Sequence, residues 1–273
     1  MKKKSKYNVA LVGATGAVGQ EMLNILEERK FPIDRIRFIA SEKSAGKAIA
    51  FKNQSYTLEA LRPGIFKDVD IVLSSAGGSI SKAFAPDAVA SGAVIVDNTS
   101  AFRMDPQVPL IVPEINAKDI KKHKGIIANP NCSTIIMLVP LFPLYRKNRI
   151  KTITCATYQA VSGAGAKAME ELHVQAGEVL AGKKPTINVL PHQTAFNVFS
   201  HNSAVGDDGY NEEEMKMVKE TWKILNDKNV KLSVTCVRVP VFRAHSEAIF
   251  VEFEKEMTPK EASAILKKAP GIR

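Results

Sequence analysis

The sequence contains few cysteines and no long apolar run. It has three cysteines (Cys132, Cys155 and Cys236) among 273 residues, and an odd, small number argues against a disulfide framework. No stretch approaches the roughly 18 consecutive apolar residues of a transmembrane helix. The basic start from Lys2 to Lys6 leads into a strand pattern and not into the apolar core of a signal peptide. We therefore expect a cytoplasmic protein with no membrane partner.

Aromatic residues are also sparse, whereas positive charge is abundant. Phe, Trp and Tyr make up 7% of the chain, and the formal net charge is +10. The lysines are scattered over predicted helices and loops, without the interleaved aromatics or the motifs of nucleic-acid-binding proteins. We therefore expect a basic surface that attracts anionic small molecules, and no nucleic-acid partner. Because no Cys or His spacing resembles a zinc site, no metal is expected either.

The first 125 or so residues alternate between strand and helix patterns. Short apolar strands are predicted at Tyr7–Val12, Ile36–Ala40, Ile71–Leu73 and Ala93–Val96, and Val18–Arg29 has helical periodicity. Such alternation is typical of parallel strands joined by right-handed helical crossovers. We expect an α/β fold whose N-terminal part is a doubly wound parallel sheet.

After about residue 128 the pattern changes to longer β-rich runs and separate helices. The predicted helices are Cys132–Arg146, Gly163–Leu180 and Glu212–Leu225, the predicted strands are Lys151–Ala160, Lys231–Val241 and Glu247–Glu254, and Gly182–Gly209 is predicted to be irregular. We expect an α+β half with a mixed or antiparallel sheet covered by helices on one face. Two domains follow, residues 1–128 and 129–273.

A glycine-rich turn lies between the first strand and the first helix, with the spacing GxxGxxG. Glycines there allow a tight turn, close approach of the backbone to a pyrophosphate and close packing of helix on strand, and the helix N-terminus offers N–H groups to the phosphates. The turn therefore predicts a Rossmann-type dinucleotide site. Its predicted cofactor-binding residues are Gly13, Thr15, Gly16, Ala17, Val18 and Gly19.

The tip of the second strand bears on the choice between NAD and NADP. An acidic residue there favours NAD because it binds the ribose 2′-hydroxyl. Ser41, Lys43 and Ser44 suit a 2′-phosphate, whereas Glu42 would repel one if it faced inward. We expect NADP in preference to NAD. The small-residue loop after the third strand supplies further predicted cofactor contacts, Ser75, Gly77 and Gly78.

One of the three cysteines stands at a predicted helix start. Cys132 follows the turn Asn129-Pro130-Asn131 and opens an apolar helix. A helix N-terminus stabilises a thiolate, and its N–H groups are suited to hold an oxyanion. Cys155 and Cys236 lie inside strand patterns, where cysteines are usually buried and inert. Cys132 is therefore the candidate nucleophile.

Cationic side chains gather late in the chain. Of the five histidines, His245 follows Arg238 and Arg243 in a segment between two apolar strands. Buried cations between strands need anionic partners, which either the protein or a substrate provides.

Short blocks in order along nearly the whole chain resemble one known family. They are Gly13–Gly19, Ala40–Gly46, Ser75–Gly78, Asp97–Arg103, Val112–Asn116, Asn129–Thr134, Tyr158–Gly165, Glu213–Lys216 and Arg238–His245. Together they resemble aspartate-semialdehyde dehydrogenase of the bacterial type.

The resemblance implies roles for the candidate catalytic residues. Cys132 would be the nucleophile, His245 the general acid/base, and Gln159 would orient groups around the thiol and the substrate carbonyl. Ser162 and Gly163 would join the cofactor contacts.

The substrate-binding residues also follow from the resemblance. Arg238 would bind the substrate α-carboxylate in a bidentate pair, and Glu213 would bind its ammonium group. Arg103 and Lys216, with help from Asn131, would hold the phosphate.

The reaction that the resemblance implies is a reversible reductive dephosphorylation. β-Aspartyl phosphate and NADPH give aspartate semialdehyde, NADP and phosphate through a thioester on Cys132. The product would serve the biosynthesis of lysine (through diaminopimelate), threonine, methionine and isoleucine. The family also implies a homodimer or a tetramer.

Two departures from the family pattern stand out. Family members usually carry Gly where Ala244 stands, and we expect the extra methyl to be tolerated only if the backbone does not need a positive φ. Members also continue for several dozen residues beyond the equivalent of Arg273, with an asparagine-containing segment near the nicotinamide. We therefore expect a C-terminally incomplete chain, either a fragment or a natural truncation, with an incomplete cofactor site.

Two other functions compete with this prediction. N-acetyl-γ-glutamyl-phosphate reductase uses the same thioester chemistry on another acyl phosphate, but Glu213 favours a substrate with a free ammonium group. A catalytically silent relative that acts as a binding or assembly protein is favoured by the missing tail, whereas the presence of Cys132, Gln159 and His245 argues against it.

Overall fold

The structure is a computed structural model that describes residues 3–273. The chain forms two compact units. The first comprises Met1–Ile111 and Lys118–Pro130, and the second comprises Val112–Ala117 and Asn131–Arg273.

The first unit is built around a six-stranded parallel sheet. Its elements are β1 (Tyr7–Val12), α1 (Ala17–Glu28), β2 (Ile33–Ala40), β3 (Ala48–Phe51), β4 (Gln54–Thr57), β5 (Glu59–Ala60), β6 (Ile71–Ser74), α2 (Gly78–Ala90), β7 (Val94–Asp97) and β8 (Ile126–Ala128). The strand order is β5-β2-β1-β6-β7-β8, and all of its pairs are parallel. This order confirms the doubly wound sheet, whose topological switch point lies between β1 and β6.

The core of this unit follows from the strand and helix patterns. Residues 9–12 of β1 are buried because helices cover both faces of the sheet. Helix α1 buries Gly19, Leu23 and Leu26, which recur at the spacing of one helical face. The sequence did not predict the β3–β4 hairpin or α2. Helix α2 is rich in small residues and contains Pro86, so its apolar periodicity is weak.

The second unit combines helices with a four-stranded mixed sheet. Its elements are α3 (Pro113–Asn116), α4 (Cys132–Lys147), β9 (Ile150–Gln159), α5 (Ala166–Leu180), β10 (Phe199–Ser200), α6 (Glu212–Leu225), β11 (Lys231–Arg238), β12 (Ser246–Phe253) and α7 (Pro259–Leu266). The strand order is β10-β11-β9-β12. Strands β9 and β11 are parallel and the other two pairs are antiparallel, so the predicted mixed sheet is confirmed.

Three predicted boundaries were wrong by three residues. The strand predicted from Ile36 begins already at Ile33. The helix predicted from Gly163 begins only at Ala166, because Gly165 has a φ of 92° that interrupts the helical backbone. The strand predicted to reach Val241 ends at Arg238, and Pro240, which lacks a backbone N–H, follows soon after.

The long irregular segment is held by side chains of α5. Carboxylate oxygens of Glu171 accept the backbone N–H groups of residues 188, 189 and 190 at 2.6, 2.6 and 3.1 Å. Gln175 accepts the N–H groups of Thr194 and Ala195 and donates to the carbonyl of Thr186. The segment is therefore ordered without forming regular secondary structure of its own, apart from the two-residue strand β10.

Within residues 3–273, no helix combines the length and the apolar character needed to span a membrane. The same residues contain no group of three or more His, Cys, Asp or Glu side chains arranged to hold a metal ion.

Candidate active site

Cys132 is the first residue of α4, and Asn131 caps that helix. The Asn131 side-chain oxygen accepts the backbone N–H groups of Ser133 and Thr134 at 2.9 and 3.3 Å, and its carbonyl accepts that of Ile135. Cys132 is exposed, whereas Ser133 and Thr134 are buried. The thiol therefore stands at the positive end of a well-capped helix, which favours its thiolate form.

The hydrogen bonds of the Asn131 cap use two N–H groups that we expected to hold an oxyanion. Helix N-terminal N–H groups were expected to hold it, but those of Ser133 and Thr134 already donate to Asn131. An oxyanion formed at Cys132 therefore needs donors other than these two.

The other two cysteines differ from Cys132 in burial and in acidity. Cys155 and Cys236 are 1% and 0% exposed. Burial is the main reason why the pKa of each thiol is raised to about 12. Both thiols therefore remain protonated near neutral pH, and a thiol in this state is a poor nucleophile.

Glu213 connects several predicted site residues. This 5% exposed carboxylate accepts the side-chain N–H groups of Asn131 at 2.7 Å and of Gln159 at 3.2 Å through Oε1. Its Oε2 lies 3.5 Å from the ammonium of Lys216. Burial alone would raise the pKa of Glu213, but the hydrogen bond from Asn131 and the charge of Lys216 outweigh it, so the pKa lies below its ordinary value. Glu213 is therefore charged at neutral pH.

Gln159 and Arg238 are neighbours on adjacent strands. They pair in register at the ends of β9 and β11, where both side chains are almost fully buried. The Oε1 of Gln159 accepts the hydroxyl of Thr157 at 3.2 Å, and its Nε2 donates to Glu213. The amide is thus held at both ends, which fixes its orientation.

Arg238 keeps part of its donor capacity unused. Its NH1 group donates to the carbonyl of Ala160 at 2.8 Å and its NH2 group to Asn202 at 3.5 Å. The Nε–H is buried without a hydrogen-bond partner among residues 3–273. Burial lowers the pKa of the guanidinium from its ordinary value. A buried cation with an unsatisfied donor is well suited to an incoming carboxylate.

His245 receives a hydrogen bond from the backbone. Its Nδ1 accepts the N–H of Ala160 at 2.9 Å, so the neutral ring carries its proton on Nε2. A Cβ at Gly163 would lie 3.7 Å from that Nε2. Burial, followed by the charge of Arg238, lowers the pKa of His245 below its ordinary value.

The residue before His245 has a backbone conformation that favours glycine. Ala244 has a φ of 69°, in the left-handed region where a Cβ is disfavoured. The condition under which we expected the methyl to be tolerated is therefore not met, and the chain accommodates Ala244 at some cost in strain.

Three further residues in this cluster were not predicted. The backbone N–H of Glu213 donates to Ser203 Oγ at 3.1 Å, and the Nδ1 of His201 receives the N–H of Ser203. Burial lowers the pKa of His201 to about 4. Glu220, 1% exposed, accepts the backbone N–H of Asn131 at 2.6 Å. Glu220 could have been suspected, because it lies seven residues after Glu213 on the same helix face.

Arg103 belongs to the first unit, where the backbone around it fixes its guanidinium. Its Nε donates to the carbonyl of Asn129 at 2.9 Å and its NH2 group to that of Asn98 at 3.0 Å. Asp97 accepts hydrogen bonds from the backbone and hydroxyl of Thr99 and so holds the start of this loop. The arginine is 9% exposed.

The glycine turn after β1 has the geometry of a dinucleotide cradle. Gly13 has a φ of 88°, and a Cβ there would meet the Ser75 backbone at 2.8 Å. A Cβ at Gly19 would lie 2.4 Å from the Gly13 carbonyl oxygen. Helices α1 and α2 begin after Gly16 and Gly77, and neither glycine offers a side-chain cap. These helix starts at the switch point suit a pyrophosphate.

The loop after β2 carries the residues expected at the adenosine ribose. Ser41, Glu42 and Lys43 are exposed and Ser44 is partly buried. These side chains are therefore accessible to a ligand at the carboxyl end of the sheet. Ser162 and Gly163 belong to the second unit, in the short helical turn before α5.

Two family models match most of the chain. Residues 8–123 match "Semialdehyde dehydrogenase, NAD binding domain" and residues 141–273 match "Semialdehyde dehydrogenase, dimerisation domain". The chain is 54% identical over 270 residues to aspartate-semialdehyde dehydrogenase of Aquifex aeolicus, covering 97% of this chain and 79% of that protein. It is 44% identical over 273 residues to that of Bacillus subtilis, covering 97% and 79%.

A solved structure agrees with these matches. The crystal structure of aspartate semialdehyde dehydrogenase II from Vibrio cholerae has a TM-score of 0.96 and 44% identity, covering 98% of this chain and 81% of that one. The same enzyme complexed with ASA has a TM-score of 0.96 and 43% identity, covering 99% and 81%. The chain therefore belongs to the aspartate-semialdehyde dehydrogenase family.

Proposed function

We propose that this protein is an NADP-dependent aspartate-semialdehyde dehydrogenase. It converts β-aspartyl phosphate to aspartate semialdehyde, reversibly, through a thioester on Cys132. The observation that carries the proposal is Glu213, whose one carboxylate joins the cap of the Cys132 helix, the amide of Gln159 and the ammonium of Lys216. The family membership supports the same activity.

Charge complementarity supports the substrate assignment. Arg238 has a buried Nε–H without a partner among the described residues, and it binds the α-carboxylate. Glu213 carries a negative charge and binds the ammonium group. Lys216, Arg103 and Asn131 hold the phosphate. The Vibrio cholerae relative complexed with ASA supports a substrate of this class.

The covalent step takes place at Cys132. Its thiolate attacks the acyl carbon of β-aspartyl phosphate, the C–O bond to the phosphate group breaks, and phosphate leaves with the electron pair. The product is a thioester, and Gln159 keeps the thiol and the carbonyl aligned. In the reverse direction the thiolate adds to the aldehyde.

His245 acts on the substrate oxygen through Nε2. Because Ala160 occupies Nδ1, Nε2–H is the group that stabilises negative charge on that oxygen. The acid/base role that the family resemblance implies requires proton exchange at this same nitrogen.

NADPH, when bound, supplies the hydride that reduces the thioester. The turn from Gly13 to Gly19 and the starts of α1 and α2 hold its pyrophosphate. Ser41, Lys43 and Ser44 hold the 2′-phosphate. The remaining cofactor contacts proposed for the first unit are Ser75, Gly77 and Gly78. Those proposed for the second unit are Ser162 and Gly163.

Wider assignments follow from this activity. Residues 1–128 form the NADP-binding domain, and residues 129–273 form the catalytic and dimerisation domain. The match to a dimerisation domain supports a homodimer, with a tetramer as the alternative. The protein works in the cytoplasm, in the biosynthesis of lysine, threonine and methionine.

The proposal is tested by phosphate-dependent reduction of NADP with aspartate semialdehyde. Cys132→Ala is expected to abolish the reaction, and Cys236→Ala, at a buried thiol, is the matched control. A rate that survives Cys132→Ala would refute the thioester. Activity on N-acetyl-γ-glutamyl phosphate alone would identify the competing reductase. Binding of the substrates without turnover would identify a silent relative.

A further inference from the structure

Helix α6 places two buried carboxylates against the same asparagine. Glu213 and Glu220 are 5% and 1% exposed and lie seven residues apart, on one face of the helix. Glu213 accepts the side-chain N–H of Asn131 at 2.7 Å. Glu220 accepts its backbone N–H at 2.6 Å.

Asn131 is consequently fixed from both sides. Its backbone N–H and its amide nitrogen are bound to α6, while its side-chain oxygen holds the N–H groups of Ser133 and Thr134. The residue between these contacts is Cys132. The position of the thiol is therefore set by α6 as well as by its own helix.

The Glu220 contact differs from an ordinary surface interaction. A carboxylate this deeply buried needs strong partners, because its desolvation is otherwise unfavourable. A bond to a backbone N–H also restricts Asn131 more tightly than a bond between two mobile side chains, because only one of the two partners has rotatable side-chain bonds. A shift of the Asn131 backbone would move Cys132 directly, since the two residues are adjacent.

We propose that Glu220 is a positioning residue, which fixes the first turn of α4 and thereby the reactive geometry of Cys132 through its bond to the Asn131 N–H. Its importance for turnover rests on the proposed function of Cys132. The geometric claim itself does not need substrate or cofactor.

Two conservative variants separate the position of the acceptor from its charge. Glu220→Gln removes the charge but keeps an oxygen acceptor at the same reach. Glu220→Asp keeps the charge but withdraws the acceptor by one methylene. We expect Glu220→Asp to lower kcat by about 10- to 100-fold, as misplacement of a reacting group does, with little change in KM. We expect Glu220→Gln to stay within about fivefold of wild type.

Glu171 provides the matched control. It is also a buried helix carboxylate, 6% exposed, that accepts backbone N–H groups at 2.6 Å, but it serves the irregular segment. Glu171→Asp and Glu171→Gln are expected to lower the melting temperature and to leave the reactivity of Cys132 unchanged.

The deciding measurement is alkylation of Cys132 by iodoacetamide across a pH series, followed by intact mass, on the full chain without substrate or cofactor. Cys155 and Cys236 do not compete because their buried thiols have a pKa raised to about 12. We expect several-fold slower alkylation in Glu220→Asp, and a profile displaced to higher pH, because the helix start stabilises the thiolate less well.

Two results would overturn the proposal. One is wild-type alkylation in Glu220→Asp. The other is impairment of Glu220→Gln as large as that of Glu220→Asp, which would show that an oxygen acceptor at the same reach is not sufficient to position Asn131. A wild-type chain without dehydrogenase activity would instead refute the proposed function and leave the alkylation test intact.

Discussion

The backbone N–H of Ala160 donates to Nδ1 of His245 over 2.9 Å. A backbone N–H donates and cannot accept a hydrogen bond, so Nδ1 must be the unprotonated nitrogen of the neutral ring. A doubly protonated imidazolium would lose this bond and turn an N–H towards an N–H. The arrangement therefore favours a neutral ring that offers Nε2–H to the substrate oxygen.

This geometry predicts that two substitutions of His245 lower kcat to different extents. Glutamine can place an amide N–H near the position of Nε2, whereas asparagine reaches only the position of Nδ1. We expect His245→Asn to lower kcat by about 10²- to 10³-fold, as loss of an oxyanion donor does. His245→Gln is expected to keep at least about a tenth of the wild-type rate. Equal loss of kcat in the two variants would mean that full proton transfer is required.

His201 predicts how stability depends on pH. Burial lowers its pKa from 6.5 to about 4, so between these values the unfolded chain binds a proton that the folded chain does not. Stability is therefore expected to fall as pH decreases from about 6.5 to about 4. In His201→Gln this fall should be smaller.

Urea unfolding at pH 7 and at pH 5 tests this prediction. The matched control is His173→Gln, at an exposed histidine of α5. An identical loss of stability on acidification in wild type and in His201→Gln would show that other groups are responsible.

Lys43 should govern the choice between the two nicotinamide cofactors. A carboxylate in its place would repel a 2′-phosphate, so Lys43→Glu is expected to raise KM for NADP by about tenfold or more and to leave KM for NAD similar or lower. The control is Lys67→Glu, at an exposed lysine of the same unit. If KM for NADP does not respond to Lys43→Glu, another residue contacts the 2′-phosphate.

We expect the removal of the Ala244 methyl group, in Ala244→Gly, to stabilise the protein. With a φ of 69°, its Cβ costs about 1–2 kcal/mol, whereas glycine costs about 0.5–1 kcal/mol in chain entropy. Ala244→Gly should therefore raise the free energy of unfolding by up to about 1.5 kcal/mol. Ala248→Gly, in the extended strand β12, should lower it. Denaturation in urea measures the free energy of unfolding of both variants. A decrease in Ala244→Gly would contradict the inferred backbone strain at Ala244.

The sequence predicted what depends on local pattern. Alternating apolar segments gave the parallel sheet and the mixed sheet, and Cys132 stood out because a turn and an apolar helix flank it. Helix α2 escaped prediction because its small residues and internal proline hide the helical period.

Contacts between residues that lie far apart in the chain could not be predicted from the sequence. Asn131 and Glu220 lie 89 residues apart in the chain, and no local pattern links them. The seven-residue spacing from Glu213 places Glu220 on the same helix face, but it does not show which residue Glu220 contacts. Only the packing of α6 against α4 shows that it is buried and bound to a backbone N–H.

The contacts that helix α5 makes determine which substitutions residues 186–195 tolerate. Glu171, Gln175 and Glu178 bind mainly backbone atoms of residues 186–195. Because backbone atoms are common to all residues, the path of this segment depends little on its own side chains. Exposed positions such as Ile187 and Val189 are therefore suitable places to introduce a spectroscopic label or to improve solubility, while a change at Glu171 would remove the acceptor of the N–H groups of residues 188–190.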